Sequence, residues 1–428
     1  MAITIEDQPY KWAIRGQKLM IIAISDEISN PGFRYGVDVT IEGKLYTFYV
    51  SAAPDDRLYF DLSPLVDDMR NVLGANSHYA TDDTVDDNSK LDMSFTLSEN
   101  WIVDGVLTVN AGSAVVGEEM IAINGYFQVI DGYKPNVLTG STKVQRSLTS
   151  FTTSLPMSDR FGGMHVNKYQ SSWGFGSSNN IIWIPVFESD YGLLSIPGND
   201  TYLTNNVVDT YRISMFPATG SSVVETLSLN GYDIEGLPVY PANLNDFTTL
   251  TVKPSLFPNW RCYTVAVLNG INQKSKSFVF YNAGVYGQRD CNYYNMRLAF
   301  VNSKGGWDYF NFIKKSETTD EIERKKFRRV LFNGTTAVFE ATDRGLQERR
   351  NLVQQVITIT SDFISEGEFQ FLRSLLVSNQ VEWLTQDASK NIAIPVNLDD
   401  TSYVEKNTRD GKLYNVTLKM RIANEYWT

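Results

Sequence analysis

Between Met296 and Phe312 the chain runs MRLAFVNSKGGWDYFNF. Two runs of aliphatic and aromatic residues flank a short segment with adjacent glycines, Gly305 and Gly306, and this is the pattern of a β-hairpin. The second run alternates Trp307, Tyr309 and Asn311 with Asp308, Phe310 and Phe312. Successive strand residues point to opposite faces, so large side chains on both faces call for cover on both sides. A sandwich core or a contact between subunits would provide it. Trp307, Tyr309, Phe310 and Phe312 are therefore candidate interface residues. The surrounding stretch, residues 292–329, holds no nucleophile–base pair and no metal-ligand spacing.

The rest of the chain uses similar residues. It has 428 residues, 43% hydrophobic and 13% aromatic, with 23 Tyr and 23 Phe. That length accommodates two or three cores, and the Tyr-, Thr- and Ser-rich usage favours strands and buried contacts. The expected fold is mainly β, a multidomain β-sandwich or barrel architecture with a few short helices. Three regions divide the chain: an N-terminal sandwich-like domain over 1–135, a loop-rich β region over 136–290, and a C-terminal β domain with one helix over 291–428.

Particular segments carry this reading. Phe33, Tyr35, Val37, Val39 and Ile41 alternate cleanly on one strand face, and Glu42-Gly43-Lys44 turns the chain into Leu45–Val50. Ser63-Pro64 reads as a helix start, with Ser63 as cap and Pro64 at the first helical position. Ile181–Phe187 reads as a buried or edge strand because of Pro185, and Ile392–Leu398 as an edge strand because of Pro395, since proline cannot donate to a ladder. Ser365-Glu366-Gly367-Glu368 forms a capping box, and Phe369, Leu372, Leu375 and Leu376 follow at helical spacing, predicting a capped helix near 366–378. In the middle region, Trp173 and Phe175 sit in a Gly/Ser/Asn loop, with Trp183 nearby. They join the interface candidates, and exposed aromatics of this kind could also stack on sugar rings. Gly140–Ser154 is polar and reads as a linker or an arm lying on a neighbour.

The formal net charge is −11. An acidic chain without a basic stripe is a poor ligand for phosphate backbones, so no nucleic acid is expected. The basic cluster Arg324-Lys325-Lys326 with Arg328 and Arg329 is interleaved with Glu321 and Glu323, as on a solvated strand or helix face. Cys262 and Cys291 are the only cysteines, and the spacing leaves two thiols or one bridge open. His78 and His165 leave little room for a histidine-based metal site or triad. Asp82, Asp83, Asp86 and Asp87 cluster in a polar loop, but they lack the glycine and terminal glutamate of a calcium loop and read as solvated. Neither a phosphate-binding glycine loop nor a GxSxG elbow occurs. No enzyme, metal or cofactor is expected. The N-terminus does not read as a secretory signal, and no run approaches the roughly 20 apolar residues that span a bilayer. The expectation is synthesis in a cytoplasm without membrane insertion.

Three segments resemble virion structural proteins of tailed bacteriophages. The first is the N-terminal strand pair closing on Leu58-Tyr59-Phe60-Asp61-Leu62-Ser63-Pro64-Leu65. The second is Arg297–Asn302 with Gly305–Phe312 and Ile322–Lys325. The third is Phe363–Leu376, running into Ile394-Pro395-Val396 and Leu413–Leu418. Together they cover about half the chain. The resemblance implies a structural tail or baseplate protein, similar to a distal tail hub, found in the virion and made in the host bacterial cytoplasm. Its implied partners are copies of itself and other tail proteins, and it supplies no catalytic residues. A receptor-binding or carbohydrate-binding protein at the tail tip, meeting a host-surface glycan, is the alternative.

Overall fold

The computed structural model describes residues 3–9, 12–14, 18–68, 78–81, 84–85, 90–117, 119–123, 136–138, 181–197, 208–230, 234–286, 295–303, 305–328, 346–362, 364, 366–387, 390–399, 415–423 and 426–427. The fold is mainly β, built from several largely antiparallel sheets with a few short helices. The chain forms two compact units. Met1–Gln288 with Val301–Asp308 makes the first, and Arg289–Phe300 with Tyr309–Thr428 the second.

The first unit begins as a sandwich. A four-stranded sheet orders Asn136–Leu138, Thr4–Pro9, Met20–Ile24 and Arg57–Asp61. A six-stranded sheet orders Trp12–Ile14, Met120–Ile123, Lys90–Val103, Arg34–Ile41 and Lys44–Val50, with Val106–Val116 also pairing to Lys90–Val103. Period-two alternation makes them pack: Tyr35, Val37, Val39 and Ile41 share one buried core with Ile21, Ala23 and Leu58 of the other sheet. The Tyr35 hydroxyl donates to the Asp56 carbonyl at 3.0 Å, and burial pushes its pKa up to about 12. The expected helix spans Ser63–Asp68, but Ser63 is not its cap. Leu62 precedes the first turn, its carbonyl accepting the Leu65 and Val66 amides at 3.1 and 3.2 Å, while Asp61 steadies the entry, accepting the Ser63 amide at 3.0 Å, the Ser63 hydroxyl and the Leu19 amide at 3.3 Å.

A second sheet system lies further along the same unit. Its order is Ile181–Val186, Ser277–Asn282, Cys262–Asn269, Thr210–Phe216 and Val223–Ser228, with Asn272–Gln273 also pairing to Cys262–Asn269. Ile181–Val186 pairs in parallel and stands at the edge, where Pro185 is tolerated. One face carries Tyr263 stacked on Phe280 at 5.0 Å, with Tyr240 edge-on to Phe280 at 5.1 Å. The other carries Trp183, Cys262 and Val279. With no boundary near residue 135, the N-terminal and middle regions belong to one unit. Links among the described residues tie them: Thr84–Val85 pairs with Ile234–Leu237, Asn243 reaches back to residues 78–80, and Tyr79 meets Tyr191 edge-on at 5.0 Å.

The second unit is organised on an eight-stranded antiparallel sheet. Its order is Trp307–Phe312, Met296–Val301, Val381–Asp387, Lys390–Leu398, Thr417–Ile422, Leu346–Thr360 and Glu317–Arg328, with Tyr426–Trp427 also on Leu346–Thr360. The turn end of the aromatic hairpin, Val301–Asp308, belongs to the first unit. The helix spans Glu366–Val377 and buries Phe369, Phe371, Leu372 and Leu375, while Leu376 is half-buried; Ser365 lies outside the described residues. Pro395 is not on an edge strand. Lys390–Leu398 pairs on both sides. Proline survives there because its carbonyl accepts from Ala423 at the very end of one ladder, so its missing N–H costs only that terminal bond.

Asn243 is the polar tie of the first unit. Its carbonyl accepts the Gly192 amide at 2.8 Å, and its amide donates to the His78 and Ala80 carbonyls at 3.0 and 2.8 Å. Asn243→Ala strands these buried backbone groups, and should lower unfolding stability by about 2–4 kcal/mol in urea titration. A change below about 0.5 kcal/mol would show that the tie is dispensable.

Candidate functional site

The aromatic hairpin turns on a three-residue loop. Gly305 donates to the Asn302 carbonyl at 3.1 Å, and Asn302 donates to the Gly306 carbonyl at 2.8 Å. Gly305 has φ +84°, a left-handed conformation that strains any side chain. The buried Asn302 side chain locks the reversal, donating to Asp308 at 3.0 Å and accepting the Gly306 amide at 3.2 Å. Arg297 lies over the Tyr309 ring at 4.8 Å and donates to Asn311 at 3.1 Å, which puts those three on one face. Alternation then places Phe300, Phe310 and Phe312 on the other, and there Phe300 meets Phe371 of the helix at 5.6 Å.

Trp307, Tyr309, Phe310 and Phe312 are only 2%, 2%, 6% and 1% exposed. Cover on both faces is real, but it is supplied within the chain. These four residues have no free surface to offer another subunit, which corrects their place among the interface candidates. Trp307 instead anchors the hairpin end, donating its backbone amide to Ser195 at 3.2 Å with His78 edge-on at 4.5 Å. Trp173 and Phe175 lie outside the described residues, as do Gly140–Ser154, residues 329–345, Cys291 and the acidic residues Asp82, Asp83, Asp86 and Asp87.

Two exposed β-ribbons carry the surfaces that the aromatic hairpin lacks. In the second unit, Glu317–Arg328 is the outermost strand of its sheet, and every residue along it is exposed. The basic cluster at Arg324–Arg328 thus lies on a solvated strand. Around Arg421 the ribbon is stitched by charge: its guanidinium donates to Asp399 at 2.7 and 2.9 Å, to Glu321 at 2.7 Å and to Gln354 at 2.9 Å. The Arg421 hydrogen bond holds the Glu321 carboxyl below the usual range, and Glu321 in turn raises the Arg421 pKa. In the first unit, Lys90–Val103 and Val106–Val116 form a long hairpin closed by Asp104 and Gly105, both at positive φ. Its end exposes Ile102, Val103, Val106, Leu107 and Val109, by up to 66%. The Asp104-Gly105 dipeptide was the signal for the full hairpin.

Other features offer less chemistry. An open depression of about 360 Å³ is lined by Thr40, Gly43, Asp92, Met93, Ser94, Glu119, Met120 and Ile121. Among the described residues, no group of three or more His, Cys, Asp or Glu could hold a metal ion, and no helix is long and apolar enough to cross a membrane. Cys262 is a buried free thiol whose pKa burial pushes up to about 12, so it is a poor nucleophile. No known family model matches the chain, and no curated protein matches it.

The Arg421 cluster gives a pH prediction. A carboxyl with a depressed folded pKa contributes stability above its unfolded value, about 4.3 for glutamate, and loses it as pH falls through the folded value. Arg421→Met should therefore destabilise the protein in denaturant titrations at pH 7, and the difference from wild type should shrink at pH 3. An equal difference at both pH values would remove charge from the account.

Proposed function

We propose that this chain is a structural component of a tailed-phage virion, assembling with copies of itself and other tail proteins into a ring or hub of the tail or baseplate. The tail assignment rests on the resemblance of the three segments quoted above. The observation that carries the assembly role is the apolar hairpin end at Ile102, Val103, Val106, Leu107 and Val109. Exposed branched aliphatics gathered on one ribbon are characteristic of a surface that becomes covered by protein. The glycan-binding alternative loses Trp183, which is only 2% exposed in the core of its sheet.

Mass spectrometry of purified virions from the encoding phage should detect the chain at a stoichiometry of several copies per particle. Its absence would overturn the virion role. Replacing Val106 and Val109 together with Asp should abolish incorporation while leaving the thermal unfolding midpoint within a few degrees of wild type. Both side chains point into solvent, so folding does not depend on them. Normal incorporation of this variant would refute the hairpin as a contact.

A further inference from the structure

An edge strand presents a row of unpaired backbone N–H and C=O groups, and proteins commonly shield such rows. Among the described residues, Glu317–Arg328 is an outermost strand whose side chains are exposed throughout. Its charges are sorted along its length. Glu317, Asp320, Glu321 and Glu323 come first, and Arg324, Lys325, Lys326 and Arg328 follow.

That order is self-complementary in one direction only. A second copy of the strand laid antiparallel puts acidic half against basic half, whereas a parallel copy sets like against like. We propose that this edge pairs antiparallel with the same edge of a second copy, joining two sheets across a two-fold axis.

Charge balance also narrows the register. Residues directly opposite in an antiparallel pair share a face, and a two-fold axis between identical strands must then set one residue opposite itself. Centring on Ile322 opposes Asp320 to Arg324 but sets Glu321 against Glu323. Centring on Glu323 opposes Asp320 to Lys326 and Glu321 to Lys325, each twice, and runs Thr319 along Phe327. Only the Glu323 pair is then alike, and each Glu323 has a Lys325 diagonally across the pair. Within one chain Lys325 already lies 3.9 Å from Glu323, and Glu321 already holds Arg421 and Lys419 at 2.7 and 3.6 Å. The pairing extends a charge network already present. It also covers the exposed Ile322 and Phe327. The inference needs only a second copy of this chain and stands apart from the virion role.

Complementary charge reversal tests it on the full chain. One variant carries Lys325→Glu and Lys326→Glu, and the other Asp320→Lys and Glu321→Lys. Sedimentation velocity should show wild-type dimers that weaken with salt, at least tenfold weaker self-association for each variant alone, and restored association in their equimolar mixture. Circular dichroism should show wild-type sheet content for both, with unfolding stability lowered only in the variant that loses the Glu321–Arg421 bond. As a second readout, Glu323→Cys should form a disulfide-linked dimer under mild oxidation, and Thr318→Cys should not. A wild-type chain that stays monomeric at tens of micromolar would overturn the proposal. So would variants that associate as wild type does, or a mixture that fails to recover.

Discussion

Every sheet has two faces and two edges, and each must be satisfied by something. Faces are satisfied by burial and edges by hydrogen bonds, solvent or shielding charge. In the first unit the faces close on each other. Tyr35, Val37, Val39 and Ile41 meet Ile21, Ala23 and Leu58, and the Tyr263–Phe280 stack fills one side of the later sheet. In the second unit the strand Trp307–Phe312 lies at one edge of the sheet, and its side chains are almost entirely buried. At the opposite end of the strand order, Glu317–Arg328 is side-chain exposed along its whole length, and no other described strand lies beyond it.

This asymmetry explains where side-chain chemistry is spent. The aromatic hairpin holds Asn302, Asp308 and the Arg297–Tyr309 contact in a buried, hydrogen-bonded arrangement that fixes one geometry. The open edge instead carries charges that stay in water and pair weakly on the surface, where individual ion pairs contribute little.

Much of the fold was legible from periodicity. Phe33–Ile41 alternates as expected, Pro185 marks a true edge, and Phe369, Leu372 and Leu375 line the helix face. Other elements were hidden for physical reasons. Phe371 is buried because the helix is covered more broadly than a narrow stripe would be. Pro395 fits an inner strand because its one missing bond falls at a ladder end. The long hairpin was obscured by Ser98, Glu99 and Asn100, which interrupt the apolar pattern although Glu99 and Asn100 are fully buried. The union of residues 1–135 with the middle region depends on Thr84–Val85 and Asn243, contacts between residues far apart in sequence that no local pattern encodes. For the candidate surface, the demand of Trp307 and its neighbours for cover was readable, but its source was not. The charge order of Glu317–Arg328 was visible in the sequence, and its meaning appeared only once the segment proved to be an outermost strand.

The most direct measurement of this account is amide hydrogen exchange along Glu317–Arg328 as a function of protein concentration. Amides bonded to Leu346–Thr360 are protected in a single chain, while those facing outward meet no other described strand. The account predicts that the outward-facing amides, alternating along the strand, gain protection as concentration rises and lose it again in high salt. Outward amides that exchange equally fast at every concentration would contradict it.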